Sequence, residues 1–158
     1  MTIAVADTSP LHYLLLIEHL DLLPRLFGAI AIPEAVRAEM LAPGAPVSLR
    51  QWMAQPPTWL SVQAVTVPDD TLSSLDPGER AAIVLAETLP ADLLIIDERL
   101  GRRAARDRDI PIIGTIGILD DAAAQGWIDL PGAIARLQQT NFRISRRTIQ
   151  ALLQTSNE

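Results

Sequence analysis

The chain has no cysteine and no lysine; all 13 of its basic residues are arginine. Without cysteine there is no disulfide framework, no thiolate metal site and no thiol nucleophile. Without lysine a P-loop lacks the side chain that reaches the phosphates. Phosphoacceptor receiver domains and most haloacid-dehalogenase-like phosphatases, which also rely on a lysine, are disfavoured for the same reason. A GC-rich genome is a sufficient cause of the arginine bias, and the exclusions hold whatever the cause. The two histidines, His12 and His19, do not stand in a zinc-binding pattern; His12, close to Asp7, reads as helix packing. No apolar run approaches the roughly 18–20 residues that cross a bilayer. The opening MTIAVADTSP lacks a basic n-region and meets Asp7 at once, so no signal peptide is expected. A cytoplasmic protein without a membrane span is the expectation.

What is present is a globular composition. At 158 residues, 49% hydrophobic and 20% charged, the chain can bury a core, so a single domain over 1–158 is expected rather than disorder. A formal net charge of −6 argues against simple electrostatic attraction to nucleic acid.

Short apolar strands are predicted at 3–7, 29–32, 93–97 and 110–114, with a more alternating edge strand at 60–65. Helices are predicted at 9–17, 19–27, 33–42, 76–89, 98–109, 115–125, 130–139 and 145–154, with one more around 49–54 inside a Pro-rich stretch. Pro33 is read as opening the third of these helices. Continuous apolar strands alternating with helices predict a doubly wound α/β domain. It has three layers, α/β/α, around a central, mostly parallel sheet, and the helices from about 130 to 155 pack on it.

In such sheets ligands bind beyond the carboxyl ends of the strands. Asp7 and Asp97 stand there, each directly after four apolar residues. Either one alone could cap the following helix; two at the ends of two strands point to a site. Glu39 is placed on an apolar face by Ala35 and Val36, where a carboxylate is costly unless paired or metal-bound. Glu34, in the first turn of that helix, is explained by the helix dipole. Glu79 has two readings, since D-x-x-E from Asp76 makes a capping box, yet Ala82, Ile83 and Ala86 put Glu79 on top of a buried face. These acids, with Glu98, cannot all stay ionised in a dry cleft without cations. Oxygen-only ligands point to Mg2+ or Mn2+, one or two ions, rather than zinc. Such sites serve phosphoryl chemistry.

In ADLLIIDERLGRRAAR, residues 91–106, the acidic pair is followed at once by Arg99, Arg102, Arg103 and Arg106. Guanidinium forks match phosphate oxygens, so these arginines are candidates for a nucleic-acid backbone. The plain alternative is a solvated helix face with Arg103–Asp107 pairs. Arg143, Arg146 and Arg147 form a second cluster, read as surface solvation.

With these residues in view, the chain resembles the PIN-domain family, in particular its bacterial branch of VapC-type toxin ribonucleases. The matching stretches are VADTSPL, IPEAVRAEM, LDPGERAAIVLA, LLIIDERLGRRAA, IGTIGIL and NFRIS, and their order and spacing cover nearly the whole chain. The resemblance implies a Mg2+- or Mn2+-dependent ribonuclease. Asp7, Glu39 and Glu79 would be its first three acids, Asp97 or Glu98 the fourth, and Ser9 a polar helper. An ungapped reading favours Glu98. The resemblance further implies an RNA substrate, a homodimer and a small antitoxin protein that quenches the acidic site. Two other readings stay open: a PIN-like RNA- or protein-binding module without catalysis, and a nuclease of DNA.

Overall fold

The computed structural model describes residues 2–68 and 70–156. Its strands are β1 (Ala4–Ala6), β2 (Ile30–Pro33), β3 (Leu60–Gln63), β4 (Leu93–Ile95) and β5 (Ile112–Ile113). They form one sheet in the order β3-β2-β1-β4-β5, and every pairing is parallel. The helices are α1 (Thr8–Leu16), α2 (Leu22–Phe27), α3 (Glu34–Leu41), α4 (Val47–Ala54), α5 (Pro77–Thr88), α6 (Arg99–Asp107), α7 (Thr115–Ala124), α8 (Leu130–Gln138) and α9 (Arg146–Ser156). The α/β expectation is met, and the sheet is parallel throughout rather than mostly so. Among the described residues no helix is long and apolar enough to cross a membrane.

Side chains alternate between the two faces of a strand, and here both faces are covered. Ala4, Ala6, Ile30, Ile32 and Ile95 enter a core shared with Leu11 and Leu14 of α1, Ile118 of α7 and Leu137 of α8. Val5, Ala31, Leu94 and Ile96, one residue out of phase, enter a second core with Ala82 and Ile83 of α5 and Ala105 of α6. Burial on both faces is why these strands read as unbroken apolar runs. The C-terminal segment belongs to the first face, where Phe142, Ile144, Ile149 and Leu152 pack against that core.

From β1 the chain builds outward to β2 and β3, then returns to the other side of β1 for β4 and β5. The switch point therefore lies between β1 and β4, the crevice where such sheets take ligands. Register brings the two strand ends level: Ala6 pairs with Ile95, and the Asp7 N–H donates to the Ile95 carbonyl at 3.0 Å.

Local departures have local causes. Pro33 is the last residue of β2 and the extended N-cap of α3, with φ −74° and ψ 157°, rather than a helical residue. An extended proline ends a strand without needing an N–H. The strand predicted over 60–65 stops at Gln63, the edge strand being paired only to β2. That predicted over 110–114 shrinks to Ile112–Ile113.

Leu94, fully buried, tests the second core. Leu94→Ala is expected to cost about 2–5 kcal/mol and lower Tm by roughly 10 °C. Leu100→Ala, at a residue 55% exposed, should change stability by less than about 0.5 kcal/mol. Equal melting curves for the two variants would contradict this packing.

Candidate metal centre

Asp7 leaves β1 directly into α1, and only 4% of its surface is exposed. It occupies the N-cap position but makes no capping hydrogen bond into the helix, so capping does not account for it. Burial pushes its carboxyl up to about 7; the Thr8 backbone N–H opposes this, and the charges of Asp76, Glu39 and Asp97 add to it.

Glu39 does not lie on the buried stripe that its spacing suggests. Val36 and Met40 fill that face of α3, and Glu39 sits exposed at its margin. Its carboxylate nevertheless reaches the end of β1, where the Thr8 hydroxyl donates to Glu39 Oε2 at 2.8 Å. Partial desolvation raises its pKa, the Thr8 bond opposes this, and Asp76 adds to it. Gly78, in the first turn of α5, makes the approach possible. A Cβ there would collide with Glu39 Oε2 and stand 3.5 Å from Asp7 Oδ1.

Glu79 is buried, 8% exposed. Its N–H donates to Asp76 Oδ1 at 2.8 Å, so Asp76 does cap α5. The carboxyl of Glu79 also meets the Asp76 carboxyl in a hydrogen bond that favours the protonated form of Glu79. Burial, then that bond, then the charges of Asp76, Asp7 and Glu98 hold Glu79 well above the usual carboxylate range. Gly101 of α6 leaves room on its other side, since a Cβ there would stand 3.2 Å from Glu79 Oε2.

The adjacent acids Asp97 and Glu98 are treated very differently. Asp97 is half-buried and doubly held by Thr115, whose N–H donates to Oδ1 and whose hydroxyl donates to Oδ2, both at 2.7 Å. Burial raises its pKa, while the Thr115 bonds and the Arg102 guanidinium oppose the rise and Glu98 adds to it. Glu98 is exposed at the N-cap of α6, with no capping bond. Ser9, Asp97 and Glu98 share the wall of one cleft.

The arginines after Glu98 also divide. Arg99, Arg103 and Arg106 are exposed, whereas Arg102 is half-buried and donates from its guanidinium to the Ile96 carbonyl at 3.1 Å. No ion pair joins Arg103 to Asp107 among the described residues. His12 stacks obliquely on Tyr13, ring centroids 5.6 Å apart, in keeping with its reading as helix packing.

Three contributors had no visible role in the sequence: Thr8 as a donor to Glu39, Asp76 as a charged neighbour of three acids, and Thr115 as the clamp on Asp97. The Thr in IGTIGIL was quoted above, but its role depends on an aspartate 18 residues earlier.

The family model DUF3368, a PIN domain, matches residues 3–158. The chain belongs to the PIN-domain family. No curated protein matches it. PIN domains are typically nucleases and generally bind Mg2+ or Mn2+. The donor set of this PIN domain suits those ions, because the converging groups are all carboxylates, with hydroxyls beside them. Burial first, and the neighbouring acids after it, raise the pKa values of Asp7, Glu39, Glu79 and Asp97, and a bound cation would favour their ionised forms. Among the described residues no three acids or histidines already stand arranged around one ion; the Thr8 hydroxyl directs the Glu39 carboxylate to itself.

A pH dependence follows. A carboxyl whose pKa is raised by folding stabilises the folded protein below its unfolded pKa, and this contribution is lost as pH rises through the folded value. For Asp7 the window runs from about 4, the usual aspartate value, to about 7; Glu79, raised as well, extends the loss upward. In EDTA, the Tm of the wild type is expected to fall relative to that of Asp7→Asn between pH 5 and about pH 7.5. Parallel Tm curves across that range would show that Asp7 is not strained by its charge.

Proposed function

We propose that the protein is a metal-dependent endoribonuclease in which Asp7, Glu39, Glu79 and Asp97 or Glu98 hold one or two Mg2+ or Mn2+ ions. The observation carrying this reading is the buried Asp7, pushed up to about 7 among other acids at the switch point of a parallel sheet. Strained titratable groups in that crevice mark functional sites. When bound, such an ion supplies Lewis-acid stabilisation of the phosphate and lowers the pKa of an attacking water.

The chain's own residues position these acids. The β1–β4 ladder fixes Asp7, the Thr8 hydroxyl aims Glu39, and Thr115 with Arg102 favours the ionised form of Asp97. Asp97 is held by two bonds and Glu98 is exposed, so Asp97 is the better-fixed fourth acid and Glu98 the more adaptable one. Ser9 adds a hydroxyl at the cleft wall. Exposed Arg99, Arg103 and Arg106 would contact RNA phosphates with little sequence information; Arg102 faces inward toward Asp97 instead.

Within the family we place the protein beside the VapC-type toxins, on the motifs quoted above. Residues 1–158 would act as one domain, as a homodimer, with a small antitoxin protein covering the acids. A small open reading frame beside the gene would support the pairing. A second reading, an RNA- or protein-binding module without catalysis, is favoured by Glu79, which burial and then Asp76 hold well above the usual carboxylate range, because a metal needs that group ionised.

Labelled RNA and DNA incubated with Mn2+, Mg2+ or EDTA decide between the two. RNA cleavage that requires metal and falls at least about 100-fold in Asp7→Asn is expected. Retained cleavage in that variant would sink the assignment, and no Mn2+-dependent rise in Tm would favour the binding module. Gly78→Ala is a finer probe. Alanine is the better helix former by up to about 1 kcal/mol, so Tm in EDTA should hold. The displaced Glu39 should cut the Mn2+-induced rise in Tm, and an undiminished rise would remove Glu39 from the metal set.

A further inference from the structure

The NFRIS segment, 141–145, is not used by the acidic site, yet it walls the clefts that open on Asp97 and Glu98. Two clefts meet at Asp97, and both are walled by Phe142 and Arg143. The smaller, about 260 Å³, lies against α1 and adds Ser9, Tyr13 and Glu98; the larger, about 470 Å³, lies against β5 and α7 and adds Arg102, Ser145 and Thr148. Phe142 meets Tyr13 edge to face, with centroids 4.9 Å apart and planes at 87°, and both rings are only half-buried. The Tyr13 hydroxyl donates to Asn141 Oδ1 at 2.9 Å, which pins the segment to α1 and commits that oxygen, leaving the Asn141 amide NH2 as a donor. Arg143 is exposed and forms no ion pair among the described residues, even beside Asp97 and Glu98.

An aromatic pair, an amide donor and an unpaired guanidinium next to a carboxylate cluster have the complementarity of one nucleotide. The base takes an aromatic face, and the phosphate takes the guanidinium fork. We propose that this cleft binds one unpaired nucleotide of single-stranded RNA beside the acidic site, stacked at Tyr13 and Phe142, with Arg143 holding its phosphate. The assignment rests on the ribonuclease reading and specifies its substrate as unpaired RNA. A duplex keeps its bases stacked within the helix and cannot offer one to the aromatic pair.

Binding measured in EDTA separates the two readings, because no chemistry occurs and the metal contributes nothing. Fluorescence anisotropy of a labelled single-stranded RNA, and of the same RNA as a duplex, would be followed over a salt series with the full chain. Arg143→Ala is expected to weaken single-strand binding roughly tenfold and to lower the salt slope by about 0.7, one phosphate contact. Arg143→Lys should recover part of the affinity. Phe142→Leu, which keeps apolar packing but removes the stacking face, is expected to weaken it by roughly fivefold to tenfold. Arg147→Ala, exposed on α9 outside both clefts, should change little, and the Mn2+-induced rise in Tm should match the wild type in all four variants. The proposal is overturned by no single-strand binding in the wild type, by equal losses in Arg143→Ala and Arg147→Ala, or by equal binding of the duplex. Any of these with the Mn2+ response intact would remove the nucleotide site while leaving the metal-centre reading standing.

Discussion

Like charges confined at the end of a parallel sheet set the terms for the rest of this structure. Asp7 and Asp97 end adjacent strands that are level because Ala6 pairs with Ile95, and Glu39 and Glu79 are carried in on α3 and α5. Two ionised carboxylates a few ångströms apart repel strongly in a poorly solvated cleft. The fold answers with particular donors. Thr8 serves Glu39, Thr115 serves both oxygens of Asp97, and the Asp76 carboxyl serves Glu79. No buried side-chain polar atom among the described residues lacks a partner. The acids are thus tolerated one by one, each by a different device, rather than neutralised as a group.

The same constraint explains the small residues around them. Gly78 and Gly101 lie where α5 and α6 pass the carboxylates; a methyl at Gly78 would intrude on Glu39, and one at Gly101 would collide with Ile96 Cδ1 and crowd Glu79. Neither has a positive φ, so close approach, not backbone freedom, selects glycine here. Gly28 is the opposite case: its φ of +80° ends α2, and a Cβ there would meet nothing.

Sheet and helices were legible because their signals are local. Four-residue apolar runs broken by Asp, Pro or Gly become strands buried on two faces, and D-P-G-E opens α5 as its capping chemistry predicts. What escaped was set by contacts distant in sequence or by a choice between two local forces. Pro33 could open a helix or end a strand, and pairing with β3 decides for the strand. Glu39 is three and four residues from apolar neighbours, yet Val36 and Met40 alone fill the core face, because a small rotation of an eight-residue helix moves a marginal residue to solvent. Asp76 satisfied its capping role so well that its second role as a charged neighbour was hidden. Asp97 and Glu98 are indistinguishable by composition, and only the arrival of Thr115 from another element separates them.

The arginines illustrate how little net charge says about a surface. A chain of formal charge −6 still gathers cations on both sides of its acidic cleft, Arg102 from α6 and Arg143 from the C-terminal segment. Their roles differ through geometry alone. Arg102 is anchored on the Ile96 carbonyl, and its charge is spent on Asp97, which favours the ionised acid. Arg143 is held by neither an ion pair nor burial, while its neighbours Phe142 and Asn141 are fixed by Tyr13. A guanidinium on a pinned backbone loses less freedom on meeting a phosphate than one on a loose tail. The aromatic clasp between α1 and the C-terminal segment therefore does more than close the fold: it determines where Arg143, exposed beside Asp97 and Glu98, can reach.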